Sequence, residues 1–162
     1  MIRSSSLFIA SLFYGAAALA ADAGPEVPYP TGYRDWYHVK SMLIGPGHGL
    51  FDTFGGIHHL YANREAKMGY AAGKFPDGAV IVFDLLEAKT DAGATLEGPR
   101  KVVGVMRKDS KRYATTGGWG FEGFKGDSQT ERAVTQKNAA TACFSCHEAQ
   151  KEADYVFSRT RP

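Results

Sequence analysis

The stretch AVIVFDLL, residues 79–86, is the strongest strand signal in the chain, because it is a strand-length run of branched and apolar residues. It follows FPDG, residues 75–78, whose proline, aspartate and glycine favour a turn. Further runs rich in branched or aromatic residues predict strands in the second half of 33–44 and over 57–61, 101–107 and 119–124. The pattern predicts an α+β fold, a mostly antiparallel sheet with flanking helices.

Two helices are predicted beside these strands. The first covers residues 64–72, because Asn63 can cap its first turn and Gly73 can end it. The second covers residues 139–155 near the C-terminus. Three segments rich in small or polar residues are predicted to be loops, namely 45–49, 90–99 and 126–137.

Length and composition indicate one ordinary globular domain. The chain has 162 residues, of which 44% are hydrophobic and 22% charged, unlike a disordered tail. It carries 19 basic and 17 acidic residues, a formal net charge of +2. This near balance gives no support for nucleic-acid binding, which usually shows a concentrated basic surface. Two cysteines are too few for a disulfide-rich scaffold.

The first 20 residues have the organisation of a secretory signal peptide. Arg3 lies in a short leader, residues 7–18 carry no charge, and Ala18-Leu19-Ala20 is a small-residue cleavage pattern. The apolar run is shorter than the roughly 20 residues that span a bilayer. We therefore expect residues 1–20 to be removed and residues 21–162 to form a periplasmic domain that does not insert into the membrane.

The sequence CFSCH, residues 143–147, is the C-x-x-C-H attachment pattern of c-type haem. On a helical turn, Cys143 and Cys146 project to one side and can form thioethers with the two vinyl groups of one porphyrin. The adjacent His147 then presents its imidazole to the iron. We expect one covalently attached haem c, with His147 as the metal ligand.

Three other kinds of site can contain two cysteines at this spacing. A thioredoxin-like dithiol belongs after an early strand, whereas this motif lies about 15 residues from the C-terminus. A zinc site needs four ligands, and the sequence has no second cysteine pair. A structural disulfide would leave His147 without a role.

The side of the iron opposite His147 must be built from upstream residues, because the tail after it contains no methionine or histidine. The candidate sixth ligands are Met42, Met68, Met106, His38, His48, His58 and His59. His58 and His59 are adjacent on a predicted strand, so one should face inward and the other outward. An apolar distal side built from Phe83, Phe121 or Phe124 would instead leave the iron open to gases.

Several sequence blocks, in order from about residue 30 to the end, resemble the cytochrome P460 family, which includes the cytochromes c′-β. They are YRDW (33–36), GKFPDGAV (73–80), KDSKRYA (108–114), GW (118–119) with Phe121, CFSCH (143–147) and DYVFSR (154–159). The resemblance implies an antiparallel sheet domain with helices, usually a homodimer, that carries one haem c on His147 with an accessible distal side.

Two positions separate the chain from the family members that oxidise hydroxylamine. The lysine that those members cross-link to haem is matched here by Phe83, which cannot form the bond, and Lys74 precedes the turn. Where they carry an arginine, His58 is aligned. The phenylalanine resembles the cytochrome c′-β branch, whose members bind nitric oxide or carbon monoxide.

Three functions are compatible with these residues. The leading one is binding of a small diatomic gas such as nitric oxide at an open haem face. The second is an enzyme that oxidises hydroxylamine or reduces peroxide, with His58 as acid–base residue. The third is simple electron transfer with an unknown redox partner. Arg112 and Arg159 are candidate partners of the haem propionates, because guanidinium matches a carboxylate.

Overall fold

The structure, a computed structural model, describes residues 26–161. The predicted signal peptide, residues 1–20, lies outside the described residues. Its removal and the boundary of the mature domain therefore stay predictions.

Six antiparallel strands form one sheet in which every strand pairs with its neighbour in sequence. They are β1 (Tyr37–Ile44), β2 (Gly56–Ala62), β3 (Val80–Asp91), β4 (Ala94–Lys108), β5 (Trp119–Lys125) and β6 (Arg132–Val134). The predicted α+β class and its antiparallel sheet are confirmed.

Two helices lie in the first half of the described chain, α1 (Phe51–Phe54) and α2 (Arg64–Ala72). The predicted bounds of α2 are confirmed. Asn63 caps it, since its side-chain oxygen accepts a hydrogen bond from the Ala66 amide at 2.9 Å. Gly73 ends it in the left-handed conformation, with φ of 73°. Short 3₁₀ turns cover Tyr33–Asp35 and Ala114–Thr116.

The predicted C-terminal helix is present but irregular. It consists of a π-helical turn (Ala140–Phe144), the short helix α3 (Ser145–His147) and a 3₁₀ stretch (Glu148–Ala153). We call residues 140–153 the C-terminal helical segment. It ends two residues earlier than predicted, because Asp154 and Tyr155 have positive φ angles of 52° and 64°.

The prediction of a loop over residues 90–99 was wrong. These residues belong to a long β-hairpin, whose two-residue turn Ala92-Gly93 has φ angles of 47° and 83°. Positive φ at both central positions fits the twist of paired strands, so the ladder continues to the turn. Pro99 is tolerated because Gly98 and Pro99 lie at a register shift in β4. The predicted loop 126–137 likewise contains the short edge strand β6.

Apolar side chains cover both faces of the sheet. One face carries Leu60, Ala62, Ile81 and Phe121, and parts of the C-terminal helical segment pack against it together with Tyr155 and Val156. We call this the C-terminal face. The other face is centred on a second cluster, which the chain before β1 covers. That cluster contains Val27, Tyr33, Tyr61, Val82, Val103, Val105, Tyr113 and Phe124.

Candidate haem site

The C-x-x-C-H sequence lies on continuous helical backbone against the C-terminal face. Cys143 lies in the π-helical turn and packs against the sheet, whereas Cys146 is exposed in α3. Both thiols are free. Burial raises the pKa of the Cys143 thiol to about 11, so it stays protonated at neutral pH. Residues three apart on a helix are neighbours on its surface, so the spacing suits attachment to one planar group.

His147 is held by a hydrogen bond through one ring nitrogen. Its Nδ1–H donates to the Tyr155 carbonyl oxygen at 2.7 Å, and since a carbonyl can only accept, the proton must lie on Nδ1. The ring lies against Phe121 and Phe157, with centroid distances of 5.2 and 5.0 Å. Burial lowers the pKa of His147, and the bond to Tyr155 partly opposes this. A neutral imidazole is therefore left with its Nε2 lone pair available to a metal.

These residues fit a covalently bound haem. The donors are two thiols on one helical turn and an imidazole whose second nitrogen already has the hydrogen-bond partner typical of a metal ligand. Over residues 26–161, no three His, Cys, Asp or Glu side chains are grouped as a metal cage.

His58 faces inward on β2, and His59 faces the opposite side of the sheet, so the predicted opposite orientations are confirmed. The His58 side chain is only 4% exposed, and its Nδ1 has no hydrogen-bond partner within the described part of the chain. Its ring lies against Phe83 at a centroid distance of 4.7 Å. Burial, with a smaller contribution from the nearby His59, lowers the pKa of His58 to about 4. The imidazole is therefore neutral at pH 7.

His59 belongs to a separate polar network on the other face. Its Nδ1 lies 2.6 Å from the Ser41 hydroxyl and its Nε2 lies 2.7 Å from a Glu97 carboxylate oxygen. His38 bonds the same hydroxyl from the other side, at 2.9 Å. These contacts turn both histidines away from the C-terminal face.

The remaining candidate axial ligands divide by position. Met42 is paired with His58 across β1 and β2, and Met106 packs on the C-terminal face. Met68 is 51% exposed on α2, and His48 lies in the loop before α1. Only His58, Met42 and Met106 among the seven candidates thus share the sheet face with the C-terminal helical segment.

The three candidate distal phenylalanines also lie in different places. Phe83 is on the C-terminal face beside His58, and Phe54 of α1 lies 5.7 Å from its ring. Phe121 contacts the His147 ring itself. Phe124 packs on the opposite face against Tyr29, at 5.1 Å, so the expectation that it furnishes the distal side was wrong. Alternation along β5 separates Phe124 from Phe121.

Among residues 26–161, neither candidate propionate partner makes a hydrogen bond or an ion pair with residues 143–147. Arg112 lies in the turn after β4, where its 63% exposed side chain pairs with Asp109 at 3.4 Å. Arg159 donates to the Val156 carbonyl at 3.4 Å. It also lines a cavity of about 350 Å³ between α2 and the C-terminal residues, which Cys143, Cys146 and His147 do not line. Propionate binding by Arg112 or by Arg159 stays a prediction.

The family model described as Cytochrome P460 matches residues 30–158, which is most of the chain. The chain belongs to the cytochrome P460 family. No curated relative matches it. Membership confirms the resemblance drawn from the sequence blocks and identifies a haem c protein. No helix in residues 26–161 is long and apolar enough to cross a membrane.

Two residues that the sequence did not single out complete the surroundings of His147. Tyr155 supplies the carbonyl that accepts a hydrogen bond from His147 Nδ1. The preceding residue, Asp154, forms an ion pair with Lys108, with Nζ and Oδ1 2.6 Å apart. The separation of 46 residues between Lys108 and Asp154 leaves no local pattern in the sequence. Lys108 and Asp154 nevertheless lie within sequence blocks that carry the cytochrome P460 resemblance, residues 108–114 and 154–159.

Proposed function

We propose that this cytochrome P460-family protein is an exported, periplasmic haem c protein that binds a small diatomic gas such as nitric oxide. One observation carries the proposal: the buried His58, whose Nδ1 has no hydrogen-bond partner among residues 26–161, lies against Phe83 on the face against which Cys143 packs. An unpartnered polar group in an apolar setting is costly unless a ligand uses it.

Cys143 and Cys146 would hold the haem covalently, and the Nε2 of His147 would bind its iron. When bound, the haem supplies a coordination position for a gas and exchanges one electron. The Tyr155 carbonyl keeps the His147 proton on Nδ1, so this ring cannot turn over without losing its hydrogen bond.

His58 and Phe83 would form the pocket for the gas. The neutral His58 ring can donate one N–H to a bound diatomic molecule, or offer a lone pair to the iron when no gas is present. The ring of Phe83, with Phe54 behind it, excludes water and favours small uncharged ligands over ions. Phe83 also has no amine with which to cross-link a haem.

Hydroxylamine oxidation is the second candidate, because the buried His58 imidazole belongs to a class of side chain that transfers protons in enzymes. A pKa of about 4, however, makes His58 a weak base, and almost none of it is protonated to act as an acid at pH 7. Gas binding needs no proton transfer, so the site supports it better. Peroxide reduction shares this difficulty with hydroxylamine oxidation. A homodimer and a redox partner are part of the proposal.

The test compares gas binding with turnover in the purified haem-loaded protein. We expect the absorption spectrum of the dithionite-reduced protein to be that of an ordinary c-type haem, to shift on titration with nitric oxide and to saturate. Hydroxylamine with an electron acceptor should be consumed no faster than in the buffer control. A strongly red-shifted ferrous Soret band with steady hydroxylamine oxidation would overturn the proposal.

Two variants localise the binding. His58→Leu removes the ring nitrogens and keeps an apolar side chain, so nitric oxide should be released roughly fivefold to tenfold faster through loss of one hydrogen bond. His48→Leu, in the loop before α1, is the matched control and should behave as wild type. Equal release rates in the two variants and in wild type would remove His58 from the ligand pocket.

A further inference from the structure

Two consecutive non-glycine residues directly after the C-terminal helical segment have left-handed backbone. Asp154 has φ of 52° and Tyr155 has φ of 64°. This conformation is unfavourable for L-residues, so it persists only where the surroundings hold it. The carbonyl that accepts from His147 Nδ1 belongs to Tyr155, which means that the strained stretch presents the partner of that histidine.

Asp154 is tied to three separate parts of the fold. Its Oδ1 pairs with Lys108 Nζ at 2.6 Å, at the end of β4. Its Oδ2 accepts from the Phe75 amide at 2.8 Å, in the turn before β3. Its backbone carbonyl accepts from Trp119 Nε1 at 2.8 Å, at the start of β5. These contacts are independent of one another, so together they fix both the position and the backbone direction of Asp154.

Lys108 is buried and depends on this arrangement. Its side chain is 8% exposed, and its Nζ donates to the Gly117 carbonyl at 3.1 Å as well as to Asp154. The same ammonium lies 5.0 Å from the centre of the Trp119 ring. A buried ammonium is stable only when such partners replace water, so Lys108 and Asp154 act as one unit.

We propose that the Lys108–Asp154 ion pair positions the Tyr155 carbonyl and thereby sets the orientation and electron-donating strength of His147 Nε2. A firm Nδ1–H···O bond makes the other ring nitrogen a better donor to a metal. Both members of the pair are positioning residues, since their contacts in the described part of the chain are with Phe75, Gly117 and Trp119 rather than with Cys143, Cys146 or His147. The proposal rests on His147 as the iron ligand.

Three variants test it in the haem-loaded protein by redox titration and by resonance Raman spectroscopy of the ferrous form. Asp154→Ala and Lys108→Met loosen the Tyr155 carbonyl, so the equilibrium constant for reduction should rise about tenfold. That corresponds to a midpoint potential about 59 mV higher. The iron–imidazole vibration should move to lower frequency. Asp154→Asn should give a smaller shift in the same direction, because its amide oxygen can still accept from the Phe75 amide.

Lys125→Met is the matched control, because it removes an exposed lysine paired with Glu131 at 2.8 Å at the end of β5. It should leave both the potential and the vibration unchanged. Should Asp154→Ala fail to accumulate as a folded protein, Asp154→Asn decides alone.

The outcomes separate the positioning role from the assignment of the ligand. Asp154 variants that are less stable but keep the wild-type potential and vibration would overturn the positioning role alone. A His147→Gly variant whose ferrous absorption spectrum and midpoint potential equal those of wild type would overturn the assignment of His147 and the positioning role with it.

Discussion

Burial of His58 should make the protein less stable as the pH is lowered through the mildly acidic range. In the folded chain, burial holds its pKa at about 4, whereas an exposed histidine in the unfolded chain takes up a proton near pH 6.5. Between these values the unfolded state binds more protons than the folded state. The free energy of unfolding therefore decreases as the pH falls from about 6.5 towards about 4.

The size of the effect follows from the separation of the two pKa values. Each pH unit inside the window costs about 1.4 kcal/mol for one group. Between pH 7 and pH 4.5, His58 should therefore contribute a loss of about 2 kcal/mol. His58→Leu cannot take up the proton, so this variant should lose about 2 kcal/mol less than wild type over the same interval.

Urea unfolding of the haem-loaded proteins at both pH values, followed by tryptophan fluorescence, measures the difference. His48→Leu is the control for removal of a histidine outside the sheet and should follow wild type. Equal losses in wild type and His58→Leu would show that His58 is not held neutral in the folded protein. The reasoning from its burial and missing partner would then be refuted.

Three further substitutions should change stability in urea unfolding. Asp84→Ala should cost about 3–5 kcal/mol of unfolding free energy, because it leaves Arg100 without its main partner. The Arg100 Nε lies 2.6 Å from the fully buried Asp84 carboxylate. Adding Arg100→Met should restore part of the loss, and full additivity of the two losses would contradict the pairing. Gly120→Ala places a methyl group against the Tyr113 ring and should cost about 1–3 kcal/mol, so an unchanged midpoint would show that the ring can move aside. Asn63→Ala removes the cap of α2 and the side-chain oxygen that accepts a hydrogen bond from the Val80 amide. The free energy of unfolding should fall by about 2 kcal/mol, and a loss below a few tenths of a kcal/mol would contradict this role of Asn63.

The sequence was most informative where local chemistry decides the backbone. Asn63 and Gly73 gave the bounds of α2 because capping and left-handed termination are local events. The hairpin over residues 90–99 was missed because Ala92 occupies a turn position where asparagine or aspartate is the usual signal. Pro99 is also unusual inside a strand, and the register shift beside it makes it acceptable.

The candidate site could be predicted only in part, for a related reason. Alternation placed His58 and His59 on opposite faces, but Leu60 and Tyr61 are both apolar, so the pattern did not show which face receives the C-terminal helical segment. The choice depends on packing between segments about 90 residues apart. The contacts of Asp154 are of the same long-range kind, and no spacing rule reveals them.

Because each strand pairs with the next one along the chain, the hydrogen-bond ladder is complete at β6, before the haem-attachment residues begin. Side-chain packing and a few polar contacts, rather than strand pairing, therefore hold residues 140–158 to the sheet. Such a segment can open as a cooperative unit while the ladder stays closed. Amide hydrogen exchange should consequently reach the amides around His147 sooner than those at the centre of β3 and β4, and a ligand that binds across the C-terminal face should slow the first group more than the second.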